Sequence, residues 1–516
     1  MNKEDLNKLV RSFDPISIMS LSETELINFF GKEFALMQGY SQNNPHHCYD
    51  LLEHTVKTVS EIDFDGLSPE EAFELKVAAL YHDIGKPVVA FEKNGRTVFY
   101  NHAAESKRIA HKLLQSLDID KSSLMRILFY IEHHDDFISF KSKIEMKEDK
   151  NPFIKPITIK TVYLKIQGVQ KKAVIDGDYV PSIKDYELLI RLCMADARAQ
   201  NSVVYQDNVV IDSLELKLSR LTKIKKCILS IENAENERCD LHTHSTFSDG
   251  TDTPVQLISK AVAAGLKAIA LTDHNTIDGL DKLIDSANEF DIDVLPGVEF
   301  STEYAGHELH ILALGIEKNQ YSRVSRHLAK AAAAKEESNR KIIRNLQKNN
   351  FNVNYRELEE FAPQKNINRA VIAQYLVSKG IICSIEEGFK TILSKSAGYY
   401  IPPERPSSID TVKFINSIGA LPVLAHPLLD LTLEELELFL PAAKKVGLYG
   451  IESYYSLFTA EQQKTLSLIA HKYGLLVSGG SDYHGDVKPH ISIGSGTGFL
   501  FVPLSVYLKL VEKLQL

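Results

Sequence analysis

The stretch Asp240-Leu241-His242-Thr243-His244-Ser245-Thr246-Phe247-Ser248-Asp249-Gly250 decides how this chain is read. Its opening alternation of polar and apolar residues predicts a short strand running into a loop, and on a strand side chains two apart share a face. His242 and His244 therefore point the same way. Neutral imidazole is the commonest metal ligand, so two on one face, followed by the loop carboxylate Asp249, make the start of a metal site. Alone, the pair reads equally well as a polar strand end, and the residues toward the carboxyl terminus decide between the two.

Downstream, short apolar runs at 268–271, 294–295, 309–315, 421–425, 450–453 and 475–478 alternate with helical segments. This alternation predicts a parallel α/β barrel or sheet, whose functional groups gather at the carboxyl ends of strands. Ligand-type residues fall there: Asp273-His274 after Leu271, Glu299 after Pro296-Gly297, His310 in His307-Glu308-Leu309-His310, His426 after Ala425, and Asp482 with His484 after Gly479-Gly480. An ordinary polar surface accounts for any one of these but not for the whole set. Asp273 is expected to orient a neighbour rather than bind an ion. His307 is a candidate substrate contact, and His327, His471 and His490 read as surface or loop histidines.

Upstream, segments 22–40, 49–62, 69–81 and 103–117 place apolar residues at helical spacing with Ser, Asp or Pro near their starts, so this half is expected to be mainly helical. It holds His54 inside one helix, His82-Asp83 at the end of another before Gly85-Lys86-Pro87, and Asp196 far downstream. The β-branched runs Ile157-Thr158-Ile159 and Thr161-Val162-Tyr163 predict a small hairpin or cover. A Lys-rich amphipathic helix over 214–231 leads into the polar link 232–237, which sets the expected domains at 1–231 and 232–516.

At 516 residues the chain exceeds one ordinary core. Its 44% hydrophobic and 25% charged content is globular, and a net charge of -9 excludes a general nucleic-acid coat and a stable nucleic-acid complex. Five cysteines without C-x-x-C spacing fit reduced thiols. With no apolar run of about 18 residues and a polar start, a cytoplasmic protein without membrane contact is expected.

The first half resembles the HD-domain phosphohydrolases, especially the HD domain that follows the catalytic head in bacterial tRNA nucleotidyltransferases. The matching residues are Gln42-Asn43-Asn44-Pro45-His46-His47, Asp50-Leu51-Leu52-Glu53-His54-Thr55, Ala79-Leu80-Tyr81-His82-Asp83-Ile84-Gly85-Lys86-Pro87 and Met194-Ala195-Asp196. The resemblance implies an all-α HD domain with one or two ions, held by His54, His82, Asp83 and Asp196, with His102 and His133 or His134 serving a second ion. No Gly-Ser and paired-Asp signature precedes the match, so CCA addition is not expected.

The second half resembles the PHP-domain phosphoesterases, and within them the ribonuclease AM and nucleoside 3′,5′-bisphosphate phosphatase group, along nearly all of 239–503. The motifs are His242-x-His244, Thr272-Asp273-His274, Pro296-Gly297-Val298-Glu299, His307-Glu308-Leu309-His310, Leu424-Ala425-His426-Pro427 and Gly480-Ser481-Asp482-x-His484. The resemblance implies an α/β fold, a distorted (β/α)7 barrel with a helical insertion at about 321–400. It also implies up to three ions, held by His242, His244, Asp249, His274, Glu299, His310, His426, Asp482 and His484. Arg369, preceded by Asn368, corresponds to an arginine that holds substrate phosphate, and Val371 stands where many relatives carry His.

Mostly imidazole ligands with three carboxylates suit Mn²⁺, Fe²⁺ or Zn²⁺ better than Mg²⁺. The expected activity is hydrolysis of phosphate esters of nucleotides (3′,5′-bisphosphonucleotides) or short RNA by metal-activated hydroxide, with Glu299 bridging ions, Arg369 on phosphate, and His484 or a bound water donating a proton. Two other readings compete: a sugar or histidinol phosphate phosphatase, and a PHP phosphatase regulated by a non-catalytic, ligand-sensing HD domain.

Overall fold

Cap chemistry sets the helices of the first unit in the computed structural model, which describes residues 15–43, 47–93, 96–115, 117–142, 145, 154–200, 202–206, 209–362, 367 and 369–514. Helix α1 (Leu51–Ser60) begins where the Asp50 side chain accepts from the Glu53 N–H. Helix α2 (Pro69–Tyr81) has a Ser68–Glu71 capping box and proline in its first turn, and it ends against His82. Helix α3 spans His102–Leu114, and α4 (Lys121–His133) is capped by Asp120. Where one helix is expected over 22–40, Gly31 at φ 99 divides it into Glu23–Phe30 and Lys32–Ala35.

The runs at 157–163 do not form a hairpin. They open helix α5 (Ile159–Asp176), because Thr158 and Thr161 form a capping box and Ile159, Val162 and Ile166 recur at helical spacing on its buried side. Helix α6 (Ile183–Arg198) follows from a Ser182–Asp185 capping box and packs on α1 and α2. The motif residues Asn44, Pro45 and His46, and most of 143–153, lie outside the described residues.

The chain divides after the helix Leu214–Glu232 into two compact units, Met1–Glu232 and Asn233–Leu516. In the second, seven strands form one sheet: β1 (Arg238–Asp240), β2 (Leu266–Leu271), β3 (Asp293–Tyr304), β4 (His307–Leu314), β5 (Leu421–Leu424), β6 (Gly450–Tyr455) and β7 (Leu476–Gly480), each beside the next. All neighbours are parallel except β3–β4 and β4–β5, so β4 alone runs against the barrel direction. The sheet nearly closes, since the Leu241 N–H donates to the Gly479 carbonyl and the Asp482 N–H to the His242 carbonyl. A side chain at Gly480 would meet His242 at 2.4 Å, which is why glycine stands at this seam.

The barrel core includes Ile269, Phe300, Ile311, Leu424, Ile451 and Leu466. Between β4 and β5 the insertion forms a second core around helices α7 (Tyr321–Lys348) and α8 (Arg369–Ser378), with Ile342, Leu346, Ile372 and Leu376 buried. Val371 belongs to this second core, only 4% exposed. Among the described residues no helix is long and apolar enough to cross a membrane.

Candidate metal centres

In the barrel unit, five imidazoles converge on one carboxylate. Glu299 on β3 is fully buried; its Oε2 lies 3.1 Å from His242 Nε2, 3.2 Å from His244 Nε2 and 3.1 Å from His274 Nδ1. Its Oε1 lies 2.7 Å from His310 Nδ1 and 3.1 Å from His426 Nε2. His242 and His244 lie just beyond β1, two residues apart, with their Nε2 atoms 3.1 Å apart. Asp482 reaches the same cluster from the end of β7, with Oδ1 3.2 Å from His244 Nε2. Asp249 and His484 complete it, 3.3 Å apart. All nine candidates of this half therefore meet at one end of the barrel.

The donor set fits divalent ions. Nδ1 of His244, His274, His310 and His426 is buried without a hydrogen-bond partner, although carboxylates stand close by. An unpaired buried ring nitrogen is costly in a finished core, and it is what a ligand awaiting an ion presents. Ligand atoms of His244, Asp249, His274 and His484 lie within 4.8 Å of one another, as do those of His242, Glu299 and His426.

Mutual charge marks the same cluster. Burial opposes ionisation of Glu299, yet His274, His242 and His310 hold its carboxyl well below the usual range. Burial also disfavours charge on His310, and Glu299 overrides it, raising His310 to about 10. For His274 burial wins, and its pKa falls to about 3 despite Glu299 and Asp249.

Arg369 opens α8 and lines an open cleft with Asp249, His274, His310 and Lys335. Its guanidinium lies 4.5 Å from the Tyr400 ring centre and 5.4 Å from that of Phe389. Asn368 lies outside the described residues. His307 is not in the cleft; its Nδ1 meets the Asp430 carbonyl at 3.1 Å. His327 stacks on Phe414 at 3.7 Å, away from the cluster. Asp273 orients no histidine: it accepts from the Ser245 N–H and from the Ser245 and Ser248 hydroxyls, fixing the loop that carries Asp249.

The first unit holds a second cluster on helices. His54 from α1, His82-Asp83 beyond α2 and Asp196 from α6 meet, with His54 Nε2 3.0 Å from Asp196 Oδ1 and His82 Nε2 3.2 Å from Asp83 Oδ2. Ring nitrogens Nε2 of His54 and His82 are buried without a hydrogen-bond partner. On the other side of Asp83, Oδ1 lies 3.2 Å from His102 Nε2 and 3.7 Å from His134 Nε2. The two candidates His133 and His134 separate here. Neighbours on a helix differ by about 100° in direction, so only one faces the cluster; His134 does, while His133 turns outward to Asp136 at 2.7 Å.

Four contributors escape a reading of the sequence. Asp135 joins His102 and His134 as a candidate ligand group. Lys86 places its Nζ 2.6 Å from Asp83 Oδ2. Lys335 lines the cleft, and Glu452 on β6 is buried against His242. Only Glu452 carries a readable signal, a carboxylate inside the apolar strand Gly450-Ile451-Glu452-Ser453.

Comparison with known proteins agrees with this geometry. A PHP domain model matches residues 240–395 and an HD domain model matches 46–166. A 5′-3′ exoribonuclease of Haemophilus influenzae is 30% identical over 48% of this chain and 90% of its own length. A 3′,5′-nucleoside bisphosphate phosphatase of Chromobacterium violaceum is 28% identical over 48% of this chain and 86% of its own. A phosphoribosyl 1,2-cyclic phosphate 1,2-diphosphodiesterase of Eggerthella lenta is 29% identical over 49% of this chain and 97% of its own. Fold, donor set and relatives together define the class, a metal-dependent phosphoesterase. The chain belongs to the PHP family, with an HD domain preceding the barrel.

Proposed function

We propose that the barrel hydrolyses phosphate esters of nucleotides, either 3′,5′-bisphosphonucleotides or short RNA. The observation that carries this reading is the position of Arg369, which faces the Glu299-centred cluster across the cleft from a separate helical insertion. A guanidinium gripping one phosphate there, with the ester to be cleaved at the cluster, suits a substrate with two phosphates. Similarity to an exoribonuclease and a bisphosphate phosphatase supports the same substrate class.

The nine residues around Glu299 would hold up to three ions, and the imidazole-rich set favours Mn²⁺, Fe²⁺ or Zn²⁺ over Mg²⁺. Such ions supply Lewis acidity and lower the pKa of water, the chemistry needed for attack on phosphorus. Glu299 would hold ions through both of its oxygens, a reading supported by each oxygen facing a different set of imidazoles. His484 has its Nδ1 on the Asp482 carbonyl at 2.8 Å and its Nε2 3.3 Å from Asp249 Oδ1, which supports a ligand role, and His484 or a bound water would donate the proton to the leaving group.

The HD half is proposed to bind one or two ions around Asp83 and to hydrolyse a small phosphate ester or cyclic nucleotide. The two carboxylate oxygens of Asp83 face two separate ligand groups. The test is a parallel assay of the full chain on a 3′,5′-bisphosphonucleotide, short RNA and histidinol phosphate, repeated with His242→Ala and Asp83→Ala. Preference for histidinol phosphate would overturn the nucleotide reading, and an Asp83→Ala protein unchanged in metal content and all activities would make the HD half a regulator.

A further inference from the structure

Strand β6 contributes none of the proposed ligands, yet Glu452 and Ser453 in its middle are both fully buried. Glu452 is fully buried and Tyr455 is 1% exposed, three residues away. On a regular strand residues three apart face opposite sides. Here the pairing with β7 shifts register between Glu452 and Tyr454, so Ser453 is an extra residue. The bulge restores phase and turns both Glu452 and Tyr455 into the barrel.

Each side chain then meets residues of the cluster from the outside. Glu452 Oε1 lies 3.1 Å from His242 Nδ1, and Oε2 accepts the His426 backbone N–H at 2.7 Å. A carboxylate only accepts, so beside Glu452 His242 carries a hydrogen on Nδ1, and Nε2, on the Glu299 side, is the nitrogen that would be left to bind an ion. His426 adopts φ 25, a left-handed backbone that a non-glycine residue holds only when its surroundings enforce it. The bond to Glu452 supplies that enforcement. The Tyr455 hydroxyl at 2.9 Å and the Lys488 ammonium at 2.6 Å both donate to Asp482 Oδ2, leaving Oδ1 toward His244.

We propose that Glu452 and Tyr455 are positioning residues, turned inward by the bulge at Ser453, that set the tautomer of His242, the backbone of His426 and the free oxygen of Asp482 for metal binding. The proposal rests on the reading of this cluster as a metal centre. Glu452→Gln turns one of the two acceptor oxygens into an NH2 donor that cannot accept from His242 or His426, whereas Tyr455→Phe keeps the ring and removes only the hydroxyl.

The experiment measures Mn²⁺ retained by the full-length protein against a graded chelator, with turnover followed as Mn²⁺ is restored. Glu452→Gln should weaken retention by about 10- to 100-fold and Tyr455→Phe by less, and saturating Mn²⁺ should restore most turnover in both. A purely structural role would cost folded protein and would not be rescued by metal. If Glu452→Gln does not fold, Tyr455→Phe decides alone. His242→Ala is the reference: if it loses Mn²⁺ while both variants retain it like wild type, the positioning role is wrong. If His242→Ala also keeps its Mn²⁺, the metal centre itself is misread and the proposal falls with it.

Discussion

The two clusters use the same residue types on opposite scaffolds, and they differ in how each histidine is held. In the HD unit the four imidazoles named around Asp83 spend Nδ1 on a backbone carbonyl: His54 on Ala199, His82 on Ala79, His102 on Phe99 and His134 on Ile131, at 2.7 to 3.1 Å. In the barrel, His242 uses the Glu452 side chain, His484 uses the Asp482 carbonyl, His274 and His310 turn Nδ1 toward Glu299, and His244 and His426 leave Nδ1 without a hydrogen bond. Helix ends explain the contrast. The last carbonyls of α2 and α4 have no intrahelical partner, so His82 and His134, at the caps, take them three residues back. Strand carbonyls are committed to the ladder, and a barrel must bring orienting groups from side chains or spend the second nitrogen on the site itself.

The largest expected effect breaks one cluster and spares the other. His242→Ala should lower turnover of a 3′,5′-bisphosphonucleotide by more than about a hundredfold, since removing a ligand costs more than removing its orienting partner. Metal content of the full chain should fall, and any activity lost by Asp83→Ala should persist. Asp83→Ala should do the reverse, removing the HD share of bound metal while bisphosphate turnover stays within about twofold, because the two units hold separate clusters. A joint loss of both activities in either variant would end the treatment of the centres as independent.

Arg369→Ala comes next. Losing a charge-assisted phosphate contact costs about 1.5 to 3 kcal/mol, roughly ten- to a hundredfold in kcat/KM for the bisphosphonucleotide, with metal content unchanged. Steady-state kinetics beside p-nitrophenyl phosphate sharpens the reading: a smaller loss on the monoester places Arg369 on the non-reacting phosphate, and equal losses place it on the group being cleaved.

The smallest effect concerns the helix that delivers His82 and Asp83. The Lys184 ammonium, with the Ser68 backbone and hydroxyl, lowers the Glu71 pKa to about 2. A depressed carboxyl contributes stability that is present above its unfolded value near 4.5 and is lost as pH falls toward 2. Glu71→Ala should therefore speed hydrogen exchange in the first turn of α2 at neutral pH, by a cap contribution of about 1 kcal/mol or less, and the difference from wild type should vanish near pH 2.

Much of the architecture is legible in the residues alone. Helix α2 follows from Ser68-Pro69 and its apolar spacing, and the strand ends that carry His242, His426 and Asp482 follow from apolar runs ending in ligand-type residues, whereas Glu299 lies inside β3, which runs well past the short run at 294–295. The segment 157–163 misleads because β-branched residues suggest strand, while the Thr158–Thr161 box nucleates a helix and burial of Ile159, Val162 and Ile166 sustains it. Propensity and cap compete there, and packing chooses.

By itself the sequence indicated two halves of different character and the residue types of two candidate clusters, because ion binding calls for particular side chains. Only the tertiary structure decided which way those side chains face. It separated His134 from His133 through helix phase, drew Asp135 to the HD cluster, placed Val371 in a core rather than in the cleft, and used one extra residue at Ser453 to turn Glu452 and Tyr455 inward. The physical reason is that facing depends on register with partners far along the chain, Glu452 with His242 and Tyr455 with Asp482, and no local pattern carries that register.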